Sequence, residues 1–415
     1  MFNLCKTEEQ KGKLQLYGCL IMFLALFITT YMIRQEIISS FTNRTFVWGI
    51  NYIAYAGILL VFITQNIPYK QVKIIYWVLP MAIILIPLNT YILIGNSMGG
   101  LIMYASCCIL PIYLLYVEFS TEKREDILRI LLLMFNIIMA IMLIWAAIDK
   151  MFGQPILKAM EPYIKHDQTF SLFANPKIPD HKRFYSVFGH PLINATWFNM
   201  CYILNIVWNK YHKALVPSWF VCMLSLIATA CCGSKTGFFV VAGITVLAFY
   251  NNRKMYIPIV IVTIIVWASG IADNLLLRLF RSDSLTSGRI EALSKLLSDP
   301  NYPFYFFKGY GTNVTSYKAA AFEFPVVDMA FCFGIIYAVI MLGLPLVFVV
   351  MRCVRAKAYQ ELLLWGLLFG EANTFYTCLH EQSDNPMIFY FLTMLFLNVV
   401  LDNSVKNMQE IERKQ

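Results

Sequence analysis

Long apolar runs restrict the fold of this chain more than any other feature of its sequence. They are about 16–22 residues long, the length that crosses roughly 30 Å of hydrocarbon as a helix. The runs at 236–250, which is short, and at 360–379, which contains Glu371, fit this pattern least well. The sequence predicts an all-α, polytopic integral membrane protein, a single domain over 1–415 with about twelve transmembrane helices. These lie near 14–33, 46–64, 74–94, 100–118, 128–148, 190–208, 214–232, 236–250, 256–272, 329–350, 360–379 and 386–401.

The composition favours the same class of protein. Hydrophobic residues make up 59% of the 415 residues and charged residues 14%. Soluble domains have roughly 45–50% and about 25%, respectively. One soluble core cannot bury so much apolar surface, whereas a bilayer replaces water around the outer faces of a helical bundle.

The distribution of Lys and Arg predicts the orientation of the chain. Short connections rich in these residues face the cytoplasm, so both termini are predicted to be cytoplasmic. The segments 149–189 and 273–328 are then two large outer loops. The net charge of +9 follows from this topology and does not indicate nucleic-acid binding. The cytoplasmic set is Lys6, Lys11, Lys13, Lys70, Lys73, Lys123, Arg124, Lys210, Lys213, Arg253, Lys254, Arg352, Arg355, Lys357, Lys406, Arg413 and Lys414.

Cysteine and histidine spacing gives no sign of a metal site. The eleven cysteines lie in or beside predicted spans, and neither outer loop contains one. This excludes an outer domain held by disulfides. With no CxxC, Cys/His or DxD-like spacing and no His-rich cluster, we expect neither a metal nor another cofactor.

The end of the first outer loop carries two candidate residues. Arg183 precedes a turn that contains Gly189, where the backbone can approach a ligand and an arginine can fork onto an anionic oxygen pair. His190 could act as a base or bind phosphate, although a histidine at a helix start is more often structural. The alternative is a loop whose basic residues are simply solvated, and it suits Lys182 better than Arg183.

The second outer loop has the most candidate residues. Arg278 and Arg281 share one face of a predicted interfacial helix, and Arg289 opens a second helix. These arginines could simply extend to the interface, or they could form a basic cup for a lipid-linked phosphate or diphosphate. Glu323 and Asp328, before the tenth span, could contact a substrate hydroxyl, cap a helix or pair with an arginine. The predicted buried stripe of the second helix is Ile290, Leu293, Leu296 and Leu297.

A short predicted outer hairpin between the seventh and eighth spans contains one cation, Lys235. A lysine close to hydrocarbon is costly unless it contacts an anion, a carboxylate or water. The alternatives are a phosphate contact and a lysine that extends to the interface.

Together these segments resemble the O-antigen polymerase and O-antigen ligase superfamily of bacterial surface-polysaccharide assembly. The resemblance covers roughly residues 180–350 and rests on the order of short motifs within this topology. The motifs are Arg183 followed by Phe188-Gly189-His190-Pro191, then Ser234-Lys235-Thr236-Gly237, Ser287-Gly288-Arg289 and Gly309-Tyr310-Gly311.

The resemblance implies a GT-C-like glycosyltransferase in the bacterial inner membrane. Its substrate would be a polyprenyl-diphosphate-linked oligosaccharide, and its partners a flippase and a chain-length regulator. It would polymerise repeat units of O-antigen, capsule or exopolysaccharide on the outer face. The diphosphate-binding candidates are Arg183, Lys235, Arg278, Arg281 and Arg289. The catalytic candidates are Arg289, Glu323, Asp328 and His190.

Two departures from the family pattern affect this interpretation. Lys235 stands where many relatives have arginine, and no histidine occurs near the end of the second loop, at 319–328. Ligases commonly place a histidine near the end of this loop, so its absence favours a polymerase over a ligase. It also leaves the general base unidentified. A flippase for lipid-linked oligosaccharide is the alternative from another class. Carriers place charges inside the bundle, whereas the ionisable residues here concentrate in the outer loops.

Overall fold

The architecture is seen in a computed structural model of the whole chain. The residues that it describes are 7–42, 44–65, 74–95, 97–165, 170–175, 183–252, 254, 256–273, 275–276, 289–312, 324–374, 379–380 and 382–414.

All regular structure in the described residues is helical. α6 continues through a π-helical turn, Ala105–Ile109, into a 3-10 helix, Leu110–Tyr116. The α-helices are α1 (Glu8–Phe27), α2 (Tyr31–Ser39), α3 (Thr45–Gly49), α4 (Tyr52–Ile63), α5 (Ile74–Ile94), α6 (Met98–Tyr104), α7 (Arg124–Phe152), α8 (Pro155–Ile164), α9 (Phe170–Ala174), α10 (Pro191–Asn209), α11 (Ser218–Cys232), α12 (Lys235–Phe249), α13 (Tyr256–Ala268), α14 (Arg289–Leu297), α15 (Pro325–Phe333), α16 (Ile335–Arg355), α17 (Tyr359–Thr374) and α18 (Asn385–Lys414).

The prediction of an all-helical chain with membrane-length apolar helices is confirmed. Each of the twelve predicted spans overlaps a helix. In the described part of the chain, four helical segments are long and apolar enough to cross a membrane. The number is five if α1 and α2, bent by 71°, form one broken span. Several others, among them α4, α11 and α12, are apolar but shorter, so the count of twelve spans stays a prediction.

The core lies around α10 and the first half of α18. α10 packs against α7, α11, α12, α17 and α18, and nearly all of its side chains are buried. Most of its polar residues are buried as well, and Asn199 and Asn205 form hydrogen bonds to neighbouring helices. Because a helix buried on all sides has no lipid-facing stripe, its sequence is less apolar than that of the outer helices.

Contacts between distant segments define two ends of the bundle. At one end, basic residues of the predicted cytoplasmic set pair with acids of other connections: Lys210 with Glu361, Arg352 with Glu118, and Lys406 with Glu125. We call this the predicted cytoplasmic end. The opposite end, the predicted outer end, contains the helix termini near residues 34, 183, 233, 328 and 380.

Both predicted outer loops contain helices that pack on the bundle. α8 contacts α2 and α7. The carboxylate of Asp149, in the last turns of α7, caps the start of α8 by accepting hydrogen bonds from the amides of Ile156 and Leu157. In α14 the predicted buried stripe is wrong, because Ile290 and Leu297 are exposed and only Leu296 is fully buried. The helix packs Leu296, together with the partly buried Ala292 one turn before it, on the cluster around Phe331.

Candidate functional site

The first group of polar residues at the predicted outer end is built on the turn between α11 and α12. The Arg183 side chain is buried, and its Nε donates to the carbonyl of Cys232 at 2.9 Å. Gly233 ends α11 in the left-handed conformation, with φ 58°. A Cβ there would stand 3.3 Å from Cγ and Nε of Arg183. The arginine therefore lies directly over the glycine of the hairpin.

A buried carboxylate lies against the same hairpin. Glu371 of α17 accepts a 2.8 Å hydrogen bond from Nδ2 of Asn199. Its Oε1 lies 3.1 Å from the place of a Cβ on Gly237, the third residue of α12. Ser234 caps that helix through the Gly237 amide, and Lys235 at its first position is partly buried. We call Arg183, Asn199, Cys232–Gly237 and Glu371 the hairpin site. Buried ionisable groups in a membrane bundle usually mark a functional region.

His190 lies at the start of α10 and caps it. Its Nδ1 accepts a hydrogen bond from the Leu192 amide at 3.2 Å, and Pro191 occupies the first helical position. This is the structural role that a histidine at a helix start often has. The catalytic role of His190 stays a prediction.

The second group centres on a histidine that precedes α18. His380 Nε2 lies 3.1 Å from Oδ2 of Asp328, and its Nδ1 lies 2.8 Å from the Tyr104 hydroxyl. Tyr104 in turn lies 2.7 Å from the Tyr337 hydroxyl. Cys332 Sγ lies 3.3 Å from the other oxygen of Asp328. We call Tyr104, Asp328, Cys332, Tyr337 and His380 the histidine cluster.

The Gly-Tyr-Gly motif of the second loop supports this cluster directly. The amides of Tyr310 and Gly311 donate to the carbonyls of Phe331 and Cys332 at the end of α15. A Cβ on Gly309 would stand 2.2 Å from the backbone of Cys332. Only glycine fits there, so the motif holds the helix that carries Asp328.

A buried ion pair closes the same end of the bundle. Arg34 forks onto both oxygens of Asp384, at 2.7 and 2.9 Å. It also donates to the backbone carbonyls of Thr29 and Trp48, while Asn51 donates to Asp384. This geometry joins the bend after α1 to the connection that also carries His380.

The structure describes half of the predicted site residues. Arg183 packs on the hairpin that carries Lys235, Asp328 belongs to the histidine cluster and His190 caps α10. Arg289 begins α14, but its side chain lies outside the described residues, as do Arg278, Arg281 and Glu323. Sequence analysis missed His380, Tyr104, Arg34 and Asp384. The one available signal was the predicted outer connection 380–385, which has acids and a histidine but no Lys or Arg.

Comparisons of the chain with protein-family models, with curated proteins and with solved structures found no match.

Proposed function

We propose that this chain polymerises lipid-linked oligosaccharide repeat units of a bacterial surface polysaccharide. The chain would span the inner membrane about twelve times in a GT-C-like arrangement, with both termini cytoplasmic. The two large loops would face outwards. The donor is a glycan on polyprenyl diphosphate, and the acceptor is a sugar hydroxyl on a second lipid-linked chain.

One observation carries the proposal: Arg183 lies on the hairpin that also carries Lys235. The resemblance assigns both residues to diphosphate binding, although they come from separate connections of the chain. The contact of Arg183 with the hairpin of Lys235, at one end of an apolar bundle, supports a single anion site there. A planar guanidinium suits this task because it stays charged and can donate two parallel hydrogen bonds to phosphate. Arg278, Arg281 and Arg289 would complete the site.

The acceptor side is assigned to Asp328 and its neighbour His380. In the transfer, the acceptor oxygen bonds to the anomeric carbon as the bond from that carbon to the diphosphate breaks. The hydroxyl proton is lost and polyprenyl diphosphate leaves. A carboxylate beside an imidazole can orient the hydroxyl and receive its proton. The pair also offers a candidate for the general base, which the stretch 319–328 leaves unidentified, because His380 comes from another connection.

Negative charge accumulates on the departing diphosphate, so cations at the hairpin site would lower the barrier. Removal of one group that stabilises transition-state charge typically slows catalysis about 10²–10³-fold. The test uses three site variants. Lys235→Met and Arg289→Ala each remove a cation, whereas Arg183→Lys keeps the charge but removes the forked guanidinium. The control is Arg129→Gln, because Arg129 is an exposed cation near the opposite end of the bundle.

The measurement is the length distribution of surface glycan in cells that carry each variant at matched protein level. We expect single repeat units in the three site variants and normal long chains in the control. Long chains in all variants would contradict the proposal. Full-length glycan retained on the carrier lipid would indicate a ligase. Single units stranded on the cytoplasmic face would indicate a flippase.

A further inference from the structure

The histidine cluster contains three different metal-binding side chains. Asp328 and Cys332 stand one turn apart on α15, and His380 reaches them from the connection before α18. One donor atom from each residue lies within 4.8 Å of the others. The three donors are a carboxylate oxygen, a thiol sulfur and an imidazole nitrogen, so this is not a group of acids that merely share a surface.

The donor set and spacing match the requirements of a zinc-like cation. Zinc binds Cys, His and Asp at about 2.0–2.3 Å, which in a tetrahedron separates neighbouring donor atoms by roughly 3.4–3.6 Å. His380 Nε2 lies 3.1 Å from Oδ2 of Asp328, and Cys332 Sγ lies 3.3 Å from Oδ1. Small adjustments would therefore place all three donors around one ion. Mg²⁺ and Ca²⁺ prefer oxygen donors throughout.

The surroundings of His380 also resemble those of a ligand histidine. Ligand imidazoles usually donate their other N–H to an oxygen, which fixes the tautomer. The Tyr104 hydroxyl, 2.8 Å from Nδ1, is placed to accept this bond and to donate its own proton to Tyr337. In this arrangement Nε2 directs its lone pair at the Asp328 carboxylate. Two acceptors 3.1 Å apart require a proton or a cation between them.

The immediate charge balance leaves room for a cation. Among the described residues, Asp328 pairs with His380 and with no Lys or Arg. Cys332 and His380 are buried, whereas the Asp328 side chain is 16% exposed. Access and an open coordination position would therefore lie on the side of Asp328. Three protein ligands with one open position are typical of zinc sites that bind a further ligand.

We propose that Asp328, Cys332 and His380 bind one divalent cation of the zinc class. The proposal departs from the expectation from spacing that the chain takes no metal, since His380 comes from a part of the sequence far from Asp328 and Cys332. The existence of the site does not depend on the proposed polymerase activity. If that activity is correct, the open position faces the assigned acceptor side, where a cation would stabilise negative charge on a bound oxygen.

The test uses the full-length protein purified in detergent, loaded with zinc or cobalt and then passed over a chelating resin. Elemental analysis should find close to one zinc per chain, and cobalt should give a thiolate-to-metal absorption band. Cys332→Ser should abolish the band and His380→Asn should lower zinc occupancy at least tenfold. Cys353→Ser is the matched control, because Cys353 is also a buried free cysteine. It lies near the end of α16, far from Cys332 at the end of α15.

The wild-type measurement stands even if a variant fails to fold, because the cobalt band reports the thiolate directly. Less than a tenth of an ion per chain after the resin would overturn the proposal and leave a direct His380–Asp328 hydrogen bond. A cobalt spectrum without a thiolate band, or one unchanged in Cys332→Ser, would overturn it too. The metal measurements need no glycan, so they are independent of the proposed function.

Discussion

The two ends of the bundle use charge in different ways. At the predicted outer end, the side chains of Arg34 and Asp384 are 8% and 5% exposed and form a forked pair. At the predicted cytoplasmic end, those of Lys406 and Glu125 are 30% and 55% exposed. Loss of one partner of a buried pair leaves an uncompensated charge, whereas an exposed pair is largely replaced by water. We therefore expect substitutions in the outer pair to be costly and substitutions in the cytoplasmic pair to be tolerated.

The same contrast separates two groups of possible metal ligands. Glu125, His212 and Asp402 at the predicted cytoplasmic end also bring donor atoms within 4.8 Å of one another. There, however, the Lys406 ammonium lies 2.8 Å from Glu125, 2.8 Å from His212 Nδ1 and 3.8 Å from Asp402. It occupies the place of a cation. Among the described residues, the histidine cluster has no such ammonium. We therefore expect the neighbouring charge, more than the donor types, to decide which group is available to a metal.

The largest expected effect is on the buried ion pair. Arg34→Ala should lower the free energy of unfolding by about 3–5 kcal/mol, because Asp384 is left buried without its cation. Unfolding in a denaturing detergent titration gives this value. The double variant Arg34→Met with Asp384→Leu should recover most of the loss. A single variant as stable as the wild type would remove the contrast between the two ends.

The next effect concerns the glycine that holds α15. Gly309→Ala should cost about 1–3 kcal/mol, because its Cβ would meet the backbone of Cys332 at 2.2 Å. The disturbance should be local: maleimide labelling followed by mass spectrometry should show Cys332 exposed and Cys353 still protected.

The control for this glycine is Gly343→Ala. A Cβ there has no neighbour within 4 Å, so the protection of Cys332 should be unchanged. Equal labelling of Cys332 in the wild type and in Gly309→Ala would show that the motif does not support the cluster.

The two ends of the bundle also show which features of the structure the sequence predicts and which it does not. The helices were predictable because the length of an apolar run is a local property, and the run at 74–94 coincides with α5. The resemblance assigned Arg183 and Lys235 to one diphosphate site, but it did not predict the contact of Arg183 with the hairpin. His380, the partner of Asp328, had only the signal of the outer connection 380–385, and Tyr104, which contacts His380, had none. Tyr104 and His380 are isolated polar residues far away in the chain, and only the folded bundle brings them together.

The burial of polar residues was also beyond local patterns. Ile290 and Leu297 are apolar yet exposed, while Asn199 and Glu371 are buried. A period of apolar residues shows which face can be buried, but the neighbouring elements determine whether it is. α14 has few neighbours, whereas α10 is surrounded by five helices.

A smaller change in stability should follow from removal of the ammonium at the predicted cytoplasmic end. Lys406→Met should cost about 0.2–1 kcal/mol, because the pair with Glu125 is partly exposed. The more informative readout is metal content. If the ammonium keeps cations away from Glu125, His212 and Asp402, this variant should bind one more zinc ion per chain than the wild type.

Lys210→Met serves as its control, because Lys210 pairs with Glu361 away from these donors. Its zinc content should equal that of the wild type. An unchanged zinc content in Lys406→Met would contradict the explanation by charge. It would mean that donor geometry alone separates the two groups.

The smallest effect should appear in the response of the two ends to salt. Arg352 contacts Glu118 at 2.8 Å, with side chains 14% and 57% exposed. A double-mutant cycle with Arg352→Met and Glu118→Gln should give a coupling of about 0.2–1 kcal/mol at low salt. In 1 M NaCl, where the Debye length is about 3 Å, most of it should vanish. The cycle for Arg34 and Asp384 should change little, since ions do not reach a pair enclosed by backbone carbonyls. Equal salt sensitivity of the two couplings would mean that water reaches the outer pair. The Arg34–Asp384 pair would then be no more enclosed than the Arg352–Glu118 pair.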